Sequence, residues 1–108
     1  MPAYDALTPE LMLDAVESRG HRCDGRILAL NSYENRVYQV WLDDGSALIA
    51  KFYRPGRWSD AAIGEEHAFA LELAEREIPM VAPLGAPGAT LNEHGGFRFA
   101  LYPRRPGR

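Results

Sequence analysis

The stretch that decides the fold is Ala47-Leu48-Ile49-Ala50-Lys51-Phe52-Tyr53. Its apolar and β-branched residues predict a strand, and the residues before it, Asp43-Asp44-Gly45-Ser46, are typical of a hairpin turn. Because side chains alternate along a strand, Lys51 shares one face with Ile49 and Tyr53. We therefore expect Lys51 among apolar neighbours and not at a polar edge.

Two further strands precede this one. Residues 27–30 are apolar and predict a buried strand, and residues 37–42 are rich in aromatic and β-branched side chains. The polar residues 31–36 between them predict a turn. Three consecutive antiparallel strands are expected.

A helix is predicted on each side of these strands. Thr8 is typical of a helix cap and Gly20 of a helix end, which predicts a first helix from Pro9 to about residue 19. The Ser59-Asp60 pair caps a longer helix that continues to about residue 76.

The carboxyl-terminal third predicts two more strands. One lies around Thr90 and Leu91, and the other spans residues 97–102, with residues 93–96 joining them. The expected fold class is α+β: a five-stranded antiparallel sheet with one long helix packed on it and a short N-terminal helix.

Length and composition describe one small domain. The chain has 108 residues and a mass of 12.0 kDa, with 46% hydrophobic and 25% charged residues, which excludes disorder and a second core. A net charge of −3 gives no attraction for a polyanion, so no nucleic acid partner is expected. The single cysteine, Cys23, fits a reducing compartment. No run approaches the roughly 18 apolar residues of a membrane span, so we expect a cytoplasmic protein without a membrane partner.

Glu66 in the long helix is the candidate partner of Lys51. At about 100° per residue, Glu66 lies in the middle of an apolar stripe, whereas Glu65 and Glu72 project to the opposite side. That stripe consists of Ala62, Ile63, Phe69, Ala70 and Leu73. A carboxylate in an apolar layer needs a cation, which predicts a buried Lys51–Glu66 ion pair. Spacing alone leaves two interpretations: a pair that only fixes the helix on the sheet, and a pair that presents Lys51 to phosphate oxygens.

The loop over residues 31–36 is a second candidate site. It could present backbone amides and the Ser32 hydroxyl to a phosphate. It contains no glycine, so an ordinary hairpin turn remains the alternative. A metal site is not expected, because His21 and Cys23 have no second pair at ligand spacing.

Taken together, these segments resemble the amino-terminal lobe of the stress response kinase A family, bacterial Ser/Thr kinases with the aminoglycoside phosphotransferase-like version of the protein kinase fold. The resemblance rests on the first hairpin loop (residues 30–39), the lysine strand and its exit (residues 51–58), the helix with the paired glutamate (residues 65–73) and the strand leading to the interlobe hinge (residues 96–103).

The resemblance implies how these residues would bind ATP. Those expected to contact the nucleotide phosphates, in place of a glycine-rich loop, are Ser32, Tyr33, Glu34 and Asn35. Lys51 would bind the α and β phosphates, Glu66 would orient Lys51, and Tyr102 would lie at the hinge beside the adenine. The apolar wall over the adenine would come from Leu30, Val37 and Ala50.

In that family the catalytic base and the Mg²⁺ ligands belong to a carboxy-terminal lobe, which nothing after Pro103 resembles. We therefore expect residues 1–103 to form the ATP-binding lobe and residues 104–108 to begin an interlobe linker or a disordered tail. The full-length enzyme would transfer a phosphoryl group from MgATP to a protein Ser or Thr. This chain, with no catalytic residue or metal ligand of its own, would be inactive alone. The alternative is a small protein-binding module in which the Lys51–Glu66 pair is only structural.

Overall fold

The computed structural model describes residues 7–30, 35–55, 59–75, 83–85 and 90–104. These residues form two helices and five strands: α1 (Pro9–Glu17), β1 (Cys23–Leu30), β2 (Arg36–Leu42), β3 (Ala47–Phe52), α2 (Asp60–Glu75), β4 (Asn92–His94) and β5 (Phe97–Pro103). The strands make one sheet in the order β1-β2-β3-β5-β4, with every neighbouring pair antiparallel. The predicted α+β class with a five-stranded antiparallel sheet is confirmed.

Helix α1 covers one face of this sheet. The Thr8 hydroxyl accepts a hydrogen bond from the Leu11 backbone N–H at 3.2 Å, as the predicted cap requires, and Gly20 follows the helix with φ +94°. Beneath α1 lies the main core, which consists of Met12, Ala15, Val16, Val40, Leu48, Ala50, Phe52, Phe97, Phe99 and Leu101. The β3 residues in this core, Leu48, Ala50 and Phe52, lie on the opposite face of the strand from Lys51.

Helix α2 packs on the opposite face, near the end of β3. The Ser59 hydroxyl accepts a hydrogen bond from the Ala62 N–H at 3.0 Å, which confirms the predicted cap. A smaller buried cluster joins the helix to the sheet through Ile63, Tyr53 and Ala100. Among the described residues, no other helix or strand packs on the rest of this face along β1, β2 and β3.

Two strand boundaries differ from the sequence prediction. β1 begins at Cys23, four residues before the predicted start, and its pairing with β2 is irregular between Cys23 and Ile27. The short strand predicted around residues 90–91 is present but begins later, because β4 spans Asn92–His94. Gly95 and Gly96 have φ of +60° and +88°, which permits a tight two-residue turn and lets His94 pair directly with Phe97.

Candidate functional site

The face of the sheet opposite α1 carries two rows of side chains set by the strand register. Residues that pair directly across antiparallel strands lie side by side on the same face. The first row is Leu30, Val37, Lys51 and Ala100. The second row is Leu28, Gln39, Ile49 and Tyr102. The face is therefore a mainly apolar platform with a single lysine on it.

Lys51 is half-buried on this platform. Its side chain is 25% exposed, and its Nζ lies 5.1 Å from the centroid of the Tyr53 ring, within the range of a cation–π contact. The predicted alternation along β3 is confirmed, since Leu48, Ala50 and Phe52 are buried on the other face. A compact ammonium group beside apolar surface is a suitable partner for a phosphate oxygen.

Glu66 pairs with Lys51, but not as a buried group. The Glu66 Oε1 lies 3.8 Å from the Lys51 Nζ, and the Glu66 side chain is 63% exposed. The expectation of a carboxylate inside an apolar layer is wrong. The pair is made at the solvent-exposed edge of α2.

The predicted inward stripe of α2 is also wrong, by roughly a quarter turn at about 100° per residue. The buried α2 side chains are Ile63 and His67, and Phe69, expected in the core, is 59% exposed. The prediction followed apolar residues only and did not consider His67 as a core residue. A histidine can occupy the core when both ring nitrogens have partners.

His67 has both partners. Its Nε2 is hydrogen-bonded to the Tyr53 hydroxyl at 2.8 Å, and its Nδ1 to the Thr90 hydroxyl at 2.7 Å. Its exposed fraction is 1%, and Tyr53 and Thr90 are buried as well. This Tyr53–His67–Thr90 network was missed from the sequence, where the only available signal was a histidine one residue after Glu66 on a helix.

Burial keeps this network neutral at physiological pH. It lowers the pKa of His67, an effect that the Glu66 carboxylate opposes and the Lys51 charge reinforces. Burial, and then the neighbouring Tyr102 side chain, raise the pKa of Tyr53 well above its usual value. Burial also raises the pKa of Tyr102. An imidazole and two phenols therefore persist beside Lys51 without adding charge.

Of the other residues predicted to contact the phosphates or the hinge, some lie outside the described residues and some within them. Ser32, Tyr33 and Glu34 lie outside the described residues. Asn35 lies immediately before β2, and its Oδ1 accepts a hydrogen bond from the Arg54 backbone N–H at 3.3 Å. Tyr102 is half-buried opposite Ile49. Lys51, Glu66 and Tyr102 therefore lie on or beside one platform.

The expected apolar wall needs one correction. Leu30 and Val37 lie on the platform with Lys51, but Ala50 is fully buried beneath α1 on the other face. Ile49 lies on the platform instead, directly opposite Gln39 and Tyr102. The alternation along β3 already predicted that Ile49, and not Ala50, shares a face with Lys51.

Residue 104, predicted to begin a linker or tail, contacts this platform. The Arg104 Nε donates a hydrogen bond to the Oε1 of Gln39 at 3.1 Å. Gln39 is itself buried in the second row. The chain is thus held against the sheet for one residue beyond β5, and residues 105–108 lie outside the described part.

Cys23 shows no sign of a reactive thiolate. Burial and the negative charges of Glu17, Asp24 and Asp43 raise the pKa of its thiol to about 11. Within the described ranges, no three side chains of His, Cys, Asp or Glu gather into a group that could hold a metal ion. No described helix is both long and apolar enough to cross a bilayer.

Comparison with known proteins shows the family to which this chain belongs. Residues 26–108 match the Phosphotransferase enzyme family, and the chain belongs to that family. It is 48% identical over 105 residues to "Stress response kinase A" of Salmonella choleraesuis and 46% identical to the protein of the same name from Escherichia coli K12. It is 47% identical to "Serine/threonine protein kinase RdoA" of Salmonella typhimurium. Each match covers 97% of this chain and 32% of the relative, so the chain spans about a third of their length.

Proposed function

We propose that this chain is the ATP-binding lobe of a stress response Ser/Thr protein kinase. The complete enzyme would transfer a phosphoryl group from MgATP to a serine or threonine hydroxyl of a protein in the cytoplasm. Family membership and the similarity to proteins named stress response kinase A support this reaction class. Residues 1–103 would form the lobe, and residues 104–108 would lead into the remainder of the enzyme.

The observation that carries the proposal is the position of Lys51. It is a half-buried cation on an otherwise largely apolar sheet face, held beside the Glu66 carboxylate. Because the sheet excludes water from one side of Lys51, its attraction for a phosphate is stronger there than at a fully solvated site. Apolar neighbours in the same rows supply a surface for a flat base.

The residues of this face suggest how ATP would be held. Lys51 would bind the α and β phosphates, Glu66 would orient Lys51, and Tyr102 would lie at the hinge beside the base. Leu30, Val37 and Ile49 would line the base, while residues 32–35 would contact the phosphates. The bound nucleotide would supply the transferred phosphoryl group.

Catalysis would need groups beyond this chain. The catalytic base and the Mg²⁺ ligands are proposed to lie in the part of the relatives that this chain does not span, together with the protein-substrate surface. The described residues contain no cluster of three or more His, Cys, Asp or Glu side chains that could hold a metal ion. Positioning and charge neutralisation by metal dominate phosphoryl transfer, so the chain by itself would be inactive.

The exposure of Glu66 argues against the alternative of a purely structural ion pair. An ion pair with one partner 63% exposed contributes about 1 kcal/mol or less to stability. A pair of this kind is a poor anchor between helix and sheet. It is well suited to holding a lysine at the edge of a ligand site.

An NMR titration with a non-hydrolysable ATP analogue and Mg²⁺ tests the proposal. We expect dose-dependent shifts of the Val37, Ile49 and Lys51 amides, which the Lys51→Met variant loses. Arg54→Met is the matched control, since it removes an exposed cation just beyond the end of β3 and should leave the shifts intact. No shift at these amides up to millimolar analogue would contradict nucleotide binding by this lobe.

A further inference from the structure

We propose that His67 is a positioning residue, which fixes the orientation of α2 over the sheet and thereby brings Glu66 to Lys51. The inference rests on the proposed function, because the Lys51–Glu66 pair matters most if Lys51 binds nucleotide. The orientation of α2 can nevertheless be measured without any nucleotide.

The first argument is the geometry of the Tyr53–His67–Thr90 network. The two hydrogen bonds, at 2.8 and 2.7 Å, leave different nitrogens of one imidazole and reach two separate parts of the chain. Tyr53 directly follows β3, and its backbone N–H donates to the Arg98 carbonyl of β5 at 2.9 Å. Thr90 lies just before β4. Because hydrogen bonds are directional, a ring bonded on both sides fixes the rotation of α2 about its axis as well as its position.

The second argument is that the network completes a two-point attachment. At the start of α2, the Arg98 guanidinium donates a hydrogen bond to the Asp60 carboxylate at 2.6 Å. Asp60 is 77% exposed, but this contact is shorter and more directional than the 3.8 Å Lys51–Glu66 pair. One attachment at the first residue of a helix would leave its axis free to swing. His67 lies seven residues further on, about 10 Å along the helix at 1.5 Å per residue. Two attachments at this separation fix the direction of the axis.

The apolar contact of α2 with the sheet is too small and too unspecific to do the same. Among the described residues, the cluster under the helix has three buried members, Tyr53, Ile63 and Ala100, with Leu91 and Tyr102 partly buried at its edge. Apolar burial is non-directional, so it holds the helix on the sheet without selecting a rotation.

The Lys51–Glu66 pair cannot set the orientation either. Its 3.8 Å separation and the 63% exposure of Glu66 make it weak on its own. Glu66 is adjacent to His67, and a rotation of the helix by one residue, about 100°, would carry its carboxylate away from Lys51. Tyr53 links the two sites, because its hydroxyl bonds His67 while its ring lies under the Lys51 Nζ. The buried network therefore places the exposed pair.

Residual dipolar couplings of the backbone amides test this role in the 108-residue chain. His67→Phe keeps an aromatic ring but removes both hydrogen bonds. Tyr53→Phe and Thr90→Val each remove one hydroxyl with little change of shape, and they carry the test if His67→Phe does not fold. His94→Gln is the matched control, since His94 lies on β4, away from this network.

We expect the α2 couplings of His67→Phe to lose their fit to the present structure while those of β2, β3 and β5 keep it. The two hydroxyl deletions should show the same change to a smaller extent, and His94→Gln should show none. The affinity for the ATP analogue should fall by about fivefold or more in His67→Phe.

A merely stabilising role would raise the unfolded fraction without altering the couplings of folded molecules. Unchanged α2 couplings in the network variants would therefore overturn the inference. A wild-type chain that binds no nucleotide would count against the proposed function alone, and the couplings would still decide the positioning role.

Discussion

The Nζ of Lys51 lies 3.8 Å from the Oε1 of Glu66, and the glutamate reaches it from the solvent-exposed edge of α2. The two residues lie 15 positions apart in the sequence, and the helix that carries Glu66 is anchored through the neighbour of Glu66, His67. A weak ion pair is thus held in place by a strong buried network. This arrangement suits a lysine that must be positioned and yet remain accessible to a ligand.

Glu66→Ala should lower the free energy of unfolding by about 1 kcal/mol or less, because both charges keep access to water. Urea denaturation of this variant and of Glu65→Ala, its matched neighbour, measures the difference. Affinity for the ATP analogue should fall in Glu66→Ala only. A stability loss of several kcal/mol specific to Glu66→Ala would instead indicate a buried pair.

Stability should decrease as the pH falls below about 6.5, the ordinary histidine pKa. Burial lowers the pKa of folded His67, so the unfolded chain binds the proton more readily and stability is lost from about 6.5 down to the folded value. The charged or titratable groups facing the ring are Tyr53, Glu66 and Lys51.

Urea unfolding between pH 5 and pH 8 measures this dependence. His67→Gln should flatten the slope in that window, whereas His94→Gln should retain it. The lowered pKa values of Asp24 and Asp44 act at more acidic pH and do not interfere. An identical slope in wild type and His67→Gln would show that His67 does not titrate differently on folding.

The same substitution at two phenylalanines should separate the core from the surface. Phe52 is fully buried and stacks on Phe99 with ring centroids 5.3 Å apart, so Phe52→Ala should cost about 3 to 5 kcal/mol of stability. Phe69 is 59% exposed, so Phe69→Ala should change stability by about 0.5 kcal/mol or less. Thermal unfolding of both variants measures the two changes in stability. Comparable losses of stability would show that Phe69 is buried, as the predicted inward stripe of α2 required.

Ile49→Ala should weaken binding of the ATP analogue by roughly tenfold, since Ile49 lies on the platform beside Lys51. Ile27→Ala is the matched control, because Ile27 packs against the main core on the other face. We expect Ile27→Ala to reduce stability and leave affinity unchanged. Equal affinities of the two variants for the ATP analogue would contradict a role of Ile49 in binding the base.

Much of this architecture follows from local patterns. Alternation along β3, the turn at residues 43–46 and the caps at Thr8 and Ser59 depend on neighbouring residues, and each was predicted. The choice of the Lys51–Glu66 pair was also correct, because both residues lie on strongly patterned elements.

The solvent exposure of Glu66 and the rotation of α2 about its axis could not be predicted from local patterns. They depend on two hydroxyls that lie 14 and 23 residues from His67 in the sequence, and no local periodicity reports such partners. The assignment of Ala50 to the adenine wall failed for a different reason. Side chains alternate along β3, so Ala50 lies on the opposite face of the sheet from Lys51.

The most direct test of the central claim uses the fact that Lys51 is the only lysine in the chain. Acetylation of its amine by a lysine-reactive ester, followed by peptide mass spectrometry, reports the accessibility of this one side chain and separates it from the amino terminus. We predict that the ATP analogue with Mg²⁺ slows acetylation of Lys51 in a dose-dependent manner and leaves the amino terminus unaffected. An acetylation rate of Lys51 that stays the same up to millimolar analogue would contradict the account.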